Sequence, residues 1–213
     1  MTEKVFWSDP YLSELKTRVR TINGNQVTLY ETIFYAFSGG QESDYGTINN
    51  IPVLEAKKNG HDIIYTLEAD HGLHENDEVF IQIDWQRRYR LMRLHFAAEV
   101  ILETVYKLHP GITKIGAHIA QDKARIDFAW PQNISTIFPQ LQQQVEQLVT
   151  EGKRIISDFS DTATQKRYWE VENFARVPCG GTHLKTTVEI GQIALKRKNI
   201  GGNKERIEIR LYE

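Results

Sequence analysis

The sequence predicts an α+β fold in two parts, a small β-barrel or folded sheet over residues 1–88 and an α/β two-layer domain over residues 89–213. Three observations carry that prediction. The first part holds short alternating runs punctuated by Asn-Gly dipeptides, the strongest short-range hairpin signal. Helical spacing of apolar residues then starts abruptly near residue 91. Beyond it, helices and strands interleave without strict βαβ repeats, which favours sheet covered by helix over a doubly wound arrangement.

The elements follow in order. Residues 15–30 alternate on either side of Asn23-Gly24, and the runs 53–58 and 61–67 flank Asn59-Gly60 in the same way. Runs at 46–53 and 79–85 add further strands. Between them, Gly39 and Gly40 free the backbone for close approach to a partner, although glycine content alone reads as a turn. The boundary falls near residues 85–90. Over 91–108, Leu91, Leu94, Ala98, Leu102 and Val105 recur at helical spacing. Strands at 112–120 and 123–130, a helix at 135–151, and strands at 153–159, 191–198 and 205–211 complete the second part. No repeat at a period of 20–50 residues is visible.

With 213 residues, 40% hydrophobic and 25% charged, the chain can bury one large or two small cores. A formal charge of −2 disfavours a protein that coats nucleic acid by bulk electrostatics, so such a partner would be met by a local basic patch. Arg87, Arg88, Arg90 and Arg93 form one candidate patch, and Lys196, Arg197, Lys198, Lys204, Arg206 and Arg210 the other. A lone cysteine rules out an internal disulfide, and the first ten residues carry no apolar signal core. No apolar run approaches the roughly 18 residues of a membrane span. The expectation is a cytoplasmic monomer without membrane contact.

Chemistry concentrates around that cysteine. Cys179 precedes His183 by four positions in the run Pro-Cys-Gly-Gly-Thr-His at 178–183, where proline and paired glycines oppose a helix. Thiol and imidazole therefore project from one tight loop. His95 and Glu99 stand one helical turn apart beside the apolar stripe of 91–108. Sulfur, imidazole nitrogen and carboxylate oxygen are the donors that a four-coordinate zinc ion takes. Two other readings stay open: each residue taken alone suits an ordinary core or surface role, and Cys179 with His183 also suits a nucleophile and its base.

His95 through Glu99 followed by Cys179-Gly-Gly-Thr-His183 resembles the editing domain shared by alanyl-tRNA synthetase and the free-standing AlaX trans-editing proteins. The editing domain of threonyl-tRNA synthetase is a more distant likeness. The segments Ile-Asp-Trp-Gln-Arg-Arg at 83–88, Arg-Tyr-Trp-Glu at 167–170 and Gly-Asn-Lys-Glu-Arg-Ile at 202–207 extend the resemblance, and residues 34–48 are similar to the glycine-rich motif of the longer AlaX proteins. Three positions depart from the family pattern. Glu99 stands where HxxxH has its second histidine, Ser38 where a glycine is usual, and Glu42 where a proline is usual.

The resemblance implies a two-layer editing domain of the kind found in the threonyl- and alanyl-tRNA synthetases. It also implies a zinc ion on His95, Glu99, Cys179 and His183, with metal-bound water as the suspected catalyst. Substrate contacts are expected from Gly39, Gly40, Gln41, Asp44 and Thr182, and tRNA contacts from Arg87, Arg88, Lys204 and Arg206. The implied activity is hydrolysis of the aminoacyl ester of mischarged tRNA for alanine at its acceptor end, seryl first and glycyl next. The alternative is a non-catalytic tRNA-binding or structural relative whose metal site has degenerated at Glu99.

Overall fold

The alternating runs of the amino-terminal part form strands. In the computed structural model, which describes residues 1–212 and leaves only Glu213 outside, the chain divides into two compact units, Met1–Tyr89 and Arg90–Glu213. The first contains β1 (Glu3–Lys4), the single turn α1 (Val5–Ser8), β2 (Glu14–Asn23), β3 (Gln26–Leu29), β4 (Glu31–Thr32), β5 (Gly46–Ile48), β6 (Ile51–Pro52), β7 (Glu55–Asn59), β8 (Asp62–Thr66) and β9 (Glu78–Ile83). Seven of these strands make one sheet in the order β6-β5-β9-β2-β3-β8-β7.

The long strand β2 sets the shape of that sheet. Its first half, Glu14 to Arg18, pairs with β9, and its second half pairs with β3 across a register shift between Val19 and Thr21. A strand that changes partner at such an irregularity turns a sheet corner. The sheet therefore curls around Val19, Val27, Leu29, Phe34, Ile48, Tyr65 and Ile81, all buried. No pairing joins β6 to β7 among the described residues, so of the two expected forms, small barrel or folded sheet, a curled sheet with two ends is the one found. The run 46–53 is likewise a hairpin, because Asn49 and Asn50 both take the positive φ of a tight turn.

The helix expected at 91–108 starts earlier, as α2 (Trp85–Leu108). Asp84 Oδ1 accepts the Arg87 N–H at 3.0 Å and caps the first turn. The division between the units falls inside this helix. Within the second unit α2 is enclosed on almost every side, with Leu91, Leu94, Phe96, Val100, Ile101 and Val105 fully buried. Glu99, Glu103 and Tyr106, spaced four and three apart, form its half-buried stripe.

The remaining elements are β10 (Thr113–Ile119), β11 (Ala124–Ala129), α3 (Phe138–Glu151), β12 (Ile156–Asp161), β13 (Lys166–Val171), β14 (Ala175–Pro178), β15 (Ile193–Asn199) and β16 (Lys204–Leu211). They build an antiparallel sheet in the order β10-β11-β16-β15 and a second one in the order β12-β13-β14. Pro139 confines the start of the expected helix 135–151 to a 3-10 turn and lets α3 begin behind it. Strands β13 and β14 are absent from the sequence expectation. They deliver the cysteine loop.

Candidate metal centre

Pairing of β14 with β13 carries the chain to Cys179, whose N–H donates to the Arg167 carbonyl at 2.9 Å as a last rung of the ladder. Beyond it the backbone leaves the sheet through Gly180 and Gly181. Gly181 passes so close to α2 that a Cβ there would lie 2.3 Å from Cε1 of His95, which explains a glycine at a position of ordinary φ. His183 then enters the interior. A capping box between Thr186 and Glu189 starts the 3-10 turn Thr187–Ile190 and fixes the far end of the loop.

This path brings Cys179 and His183 to His95. The Cys179 Sγ lies 3.4 Å from His95 Nε2 and 3.3 Å from His183 Nε2, and one donor atom from each of the three residues falls within 4.8 Å of the others. Zinc–nitrogen and zinc–sulfur bonds of ordinary length in a tetrahedron place their donors about 3.5 Å apart. Three ligands of two suitable types, two imidazoles and one thiol, thus stand at the right separations, and the group can hold a metal ion. Ser157 Oγ sits 2.9 Å from His183 Nδ1 and orients the ring from behind, as outer partners of metal ligands do. Phe96 packs against both His183 and Trp169 and closes the apolar wall.

Glu99, the fourth expected donor, stands apart. Its Oε1 lies 3.3 Å from His95 Nε2, yet the carboxylate does not join the three-donor group. In this arrangement it accepts a hydrogen bond from the protonated imidazole. Burial would by itself depress the His95 pKa, but the Cys179 sulfur and Glu99 outweigh it and hold the pKa at about 10. His183 goes the opposite way, pushed well below its ordinary value by burial and by the cations of His95 and Arg167. Burial would raise the Glu99 pKa, and His95, Trp169 and Lys114 together turn that into a net lowering.

The other expected contacts divide in two. Gly39 and Gly40, both at positive φ, form a tight turn closed by Gln41 N–H to Ser38 O at 3.0 Å and Ser38 N–H to Gln41 O at 3.3 Å. Gln41 and Thr182 are buried. Asp44 and Arg88 are both 0% exposed in their side chains and face each other as a fork, with Arg88 Nε donating to Asp44 Oδ1 at 2.8 Å and Nη2 to Oδ2. Arg88 also donates to the carbonyls of Ile33 and Pro10, while Asp44 accepts the Tyr35 N–H at 2.7 Å. Arg87 pairs with Glu42 at 2.8 Å and lies under the Tyr45 ring.

Enclosed in this way, Arg88 is out of reach of a phosphate, and it fastens the segment that carries the glycine turn to the start of α2. Lys204 is exposed, whereas Arg206 is forked onto Asp127 at 2.6 and 3.0 Å. Sequence reasoning missed Ser157, Gly181 and the Asp44–Arg88 pair as supporting residues. Only Gly181, inside the cysteine loop, carried a signal that could have found it.

The chain is a two-unit α+β protein with a histidine–cysteine–histidine group whose cysteine and second histidine share one glycine-bearing loop, and its relatives place it among the alanyl-tRNA editing-domain proteins. The chain belongs to the AlaX family of alanyl-tRNA editing proteins. It is 34% identical to alanyl-tRNA editing protein AlaX-M of Pyrococcus horikoshii, with 98% of this chain and 97% of that protein covered. AlaX-M of Saccharolobus solfataricus is 30% identical, with 97% and 98% covered. Alanine–tRNA ligase of Methanococcus aeolicus is 31% identical, with 97% of this chain but only 25% of the ligase covered. No family model matches the chain.

Proposed function

We propose that the protein is a trans-editing hydrolase that removes wrongly attached amino acids from tRNA for alanine, the seryl ester first and the glycyl ester next. The observation that carries this reading is the meeting of His95, Cys179 and His183 in a chain similar along its whole length to proteins named for alanyl-tRNA editing. Zinc is the ion proposed, because thiolate with two imidazoles suits it at these separations. Bound there, zinc would polarise an ester carbonyl or hold it in place. The chain's own residues do the rest: Phe96 and Trp169 keep the wall of the site dry, and Ser157 holds His183. For the acceptor end, exposed Lys204 with Lys196 and Lys198 supplies phosphate contacts, in place of the enclosed Arg87 and Arg88.

Purified protein should carry one equivalent of zinc, measured by elemental analysis. The proton that His95 keeps up to about pH 10 in the metal-free protein must leave when the metal binds, so metal affinity falls as pH is lowered. Less than about a tenth of an equivalent, with no uptake on titration, contradicts the assignment.

The function itself is tested by release of labelled serine from mischarged tRNA. A pocket that hydrogen-bonds the hydroxyl discriminates by up to about 10⁴ against an analogue lacking it, so alanyl-tRNA should survive. Release of serine no faster than in buffer would end the editing reading. No helix of the described residues is long and apolar enough to cross a membrane.

A further inference from the structure

The outward face of the sheet β10-β11-β16-β15 carries charge out of keeping with the chain as a whole. Alternate residues of a strand share a face, so Lys204, Arg206, Glu208 and Arg210 of β16 stand together, opposite the buried Ile207, Ile209 and Leu211. The register sets Lys196 of β15 beside Glu208 and Lys198 beside Arg206. On the other flank it sets Arg125 of β11 beside Glu208 and Asp127 beside Arg206. The two carboxylates in these rows are already matched: Arg206 forks onto Asp127 at 2.6 and 3.0 Å, and Lys123 reaches Glu208 at 2.8 Å. Lys196, Lys198, Lys204 and Arg210 are left over. All are exposed, and no carboxylate of the described residues lies within ion-pair distance of them. On a chain of formal charge −2, such a surplus on one sheet face makes a local positive field rather than an average surface.

Shape narrows the partner. From Lys204 to Arg210 the strip runs about 20 Å at roughly 3.4 Å per residue, with β15 about 5 Å to its side. A broad sheet cannot enter the deep, narrow major groove of an RNA helix, so it meets the phosphate ridges instead. Lysine and arginine contacts to phosphate position a helix and carry no sequence information. Asn199, the carboxamide of β15 that could read a base edge, is held by Glu205 at 2.7 Å. On the reading of the protein as one that acts on tRNA, we infer that this sheet face docks the backbone of a double-stranded RNA stem without reading its sequence. Arg210 extends the phosphate track of Lys196, Lys198 and Lys204 along β16, and discrimination among tRNAs falls to other parts of the chain.

The test is binding of full-length wild type and variants to two RNA hairpins of equal length and unrelated sequence, titrated over a range of salt. The triple variant Lys196→Gln, Lys198→Gln, Arg210→Gln should bind both hairpins at least about tenfold more weakly at low salt, by the same factor for each. The slope of log affinity against log salt should flatten by about 1 for every cation removed, in the single variants as in the triple. Lys166→Gln, at an exposed position on β13, should leave affinity and slope unchanged. Loss confined to one hairpin, an unchanged slope, or an equal loss in Lys166→Gln overturns the inference. Binding to phosphatidylserine vesicles in preference to both hairpins overturns it too. The hairpins carry no amino acid, so the result is independent of ester hydrolysis. Wild type that binds both hairpins but releases no serine ends the editing reading and supports the docking face; wild type that releases serine and binds neither hairpin overturns the docking face alone.

Discussion

Asp44→Ala is expected to lower the melting temperature of the amino-terminal unit by at least about 12 °C. Arg88 is wholly enclosed, and Asp44 is its only carboxylate partner within ion-pair distance among the described residues. Removing one member of a buried pair leaves an uncompensated charge and costs about 3–5 kcal/mol, and in a unit of this size each kcal/mol shifts melting by roughly 4–8 °C. The lost Tyr35 N–H acceptor adds to that cost. Differential scanning calorimetry on the full chain reads the shift. The double variant Asp44→Ala with Arg88→Met should recover part of it, because the uncompensated charge is gone while the Tyr35 N–H and the Ile33 and Pro10 carbonyls stay without their partners. A shift under about 3 °C in the single variant would mean that water reaches Arg88 and satisfies it.

Cys179→Ala should reduce serine release from mischarged tRNA by at least about a hundredfold. Loss of an outer partner of a metal ligand already costs 10 to 100-fold in affinity or activity, and Cys179 is the donor that both histidines face. His183→Ala should act alike, since its Nε2 lies 3.3 Å from the same sulfur. Metal content should fall together with rate in both variants. Retained zinc with lost activity would instead favour the nucleophile reading of Cys179, and equal release by all three proteins would point to a contaminating deacylase.

Much of the site was legible because metal chemistry restricts residue type and spacing together. His95, Cys179 and His183 could be paired across the chain for that reason, and they do meet. The fate of Glu99 was not legible. A spacing of four places a carboxylate on the side of the helix that bears His95, but which neighbour it turns to depends on Trp169 and Lys114 from strands elsewhere in the sequence. Adjacent arginines at 87 and 88 read as a solvent face, yet their burial is set by partners more than forty residues away. Strand β13 escaped notice because its inward positions alternate Arg167, Trp169 and Val171, and a buried arginine breaks the apolar pattern by which strands are read. The early start of α2 was visible in principle, in Asp84 three residues ahead of the Arg87 amide that it caps.

Gly181 shows how little separates a folded chain from a working one here. Every donor atom could be kept and the centre would still be disturbed if that residue gained one methyl group, for the His95 ring would have to move away from a carbon 2.3 Å from its Cε1. The main chain at this point acts as a template that presses the ring into place. A side chain at Gly181 would therefore reach the centre through His95 without touching a donor's identity.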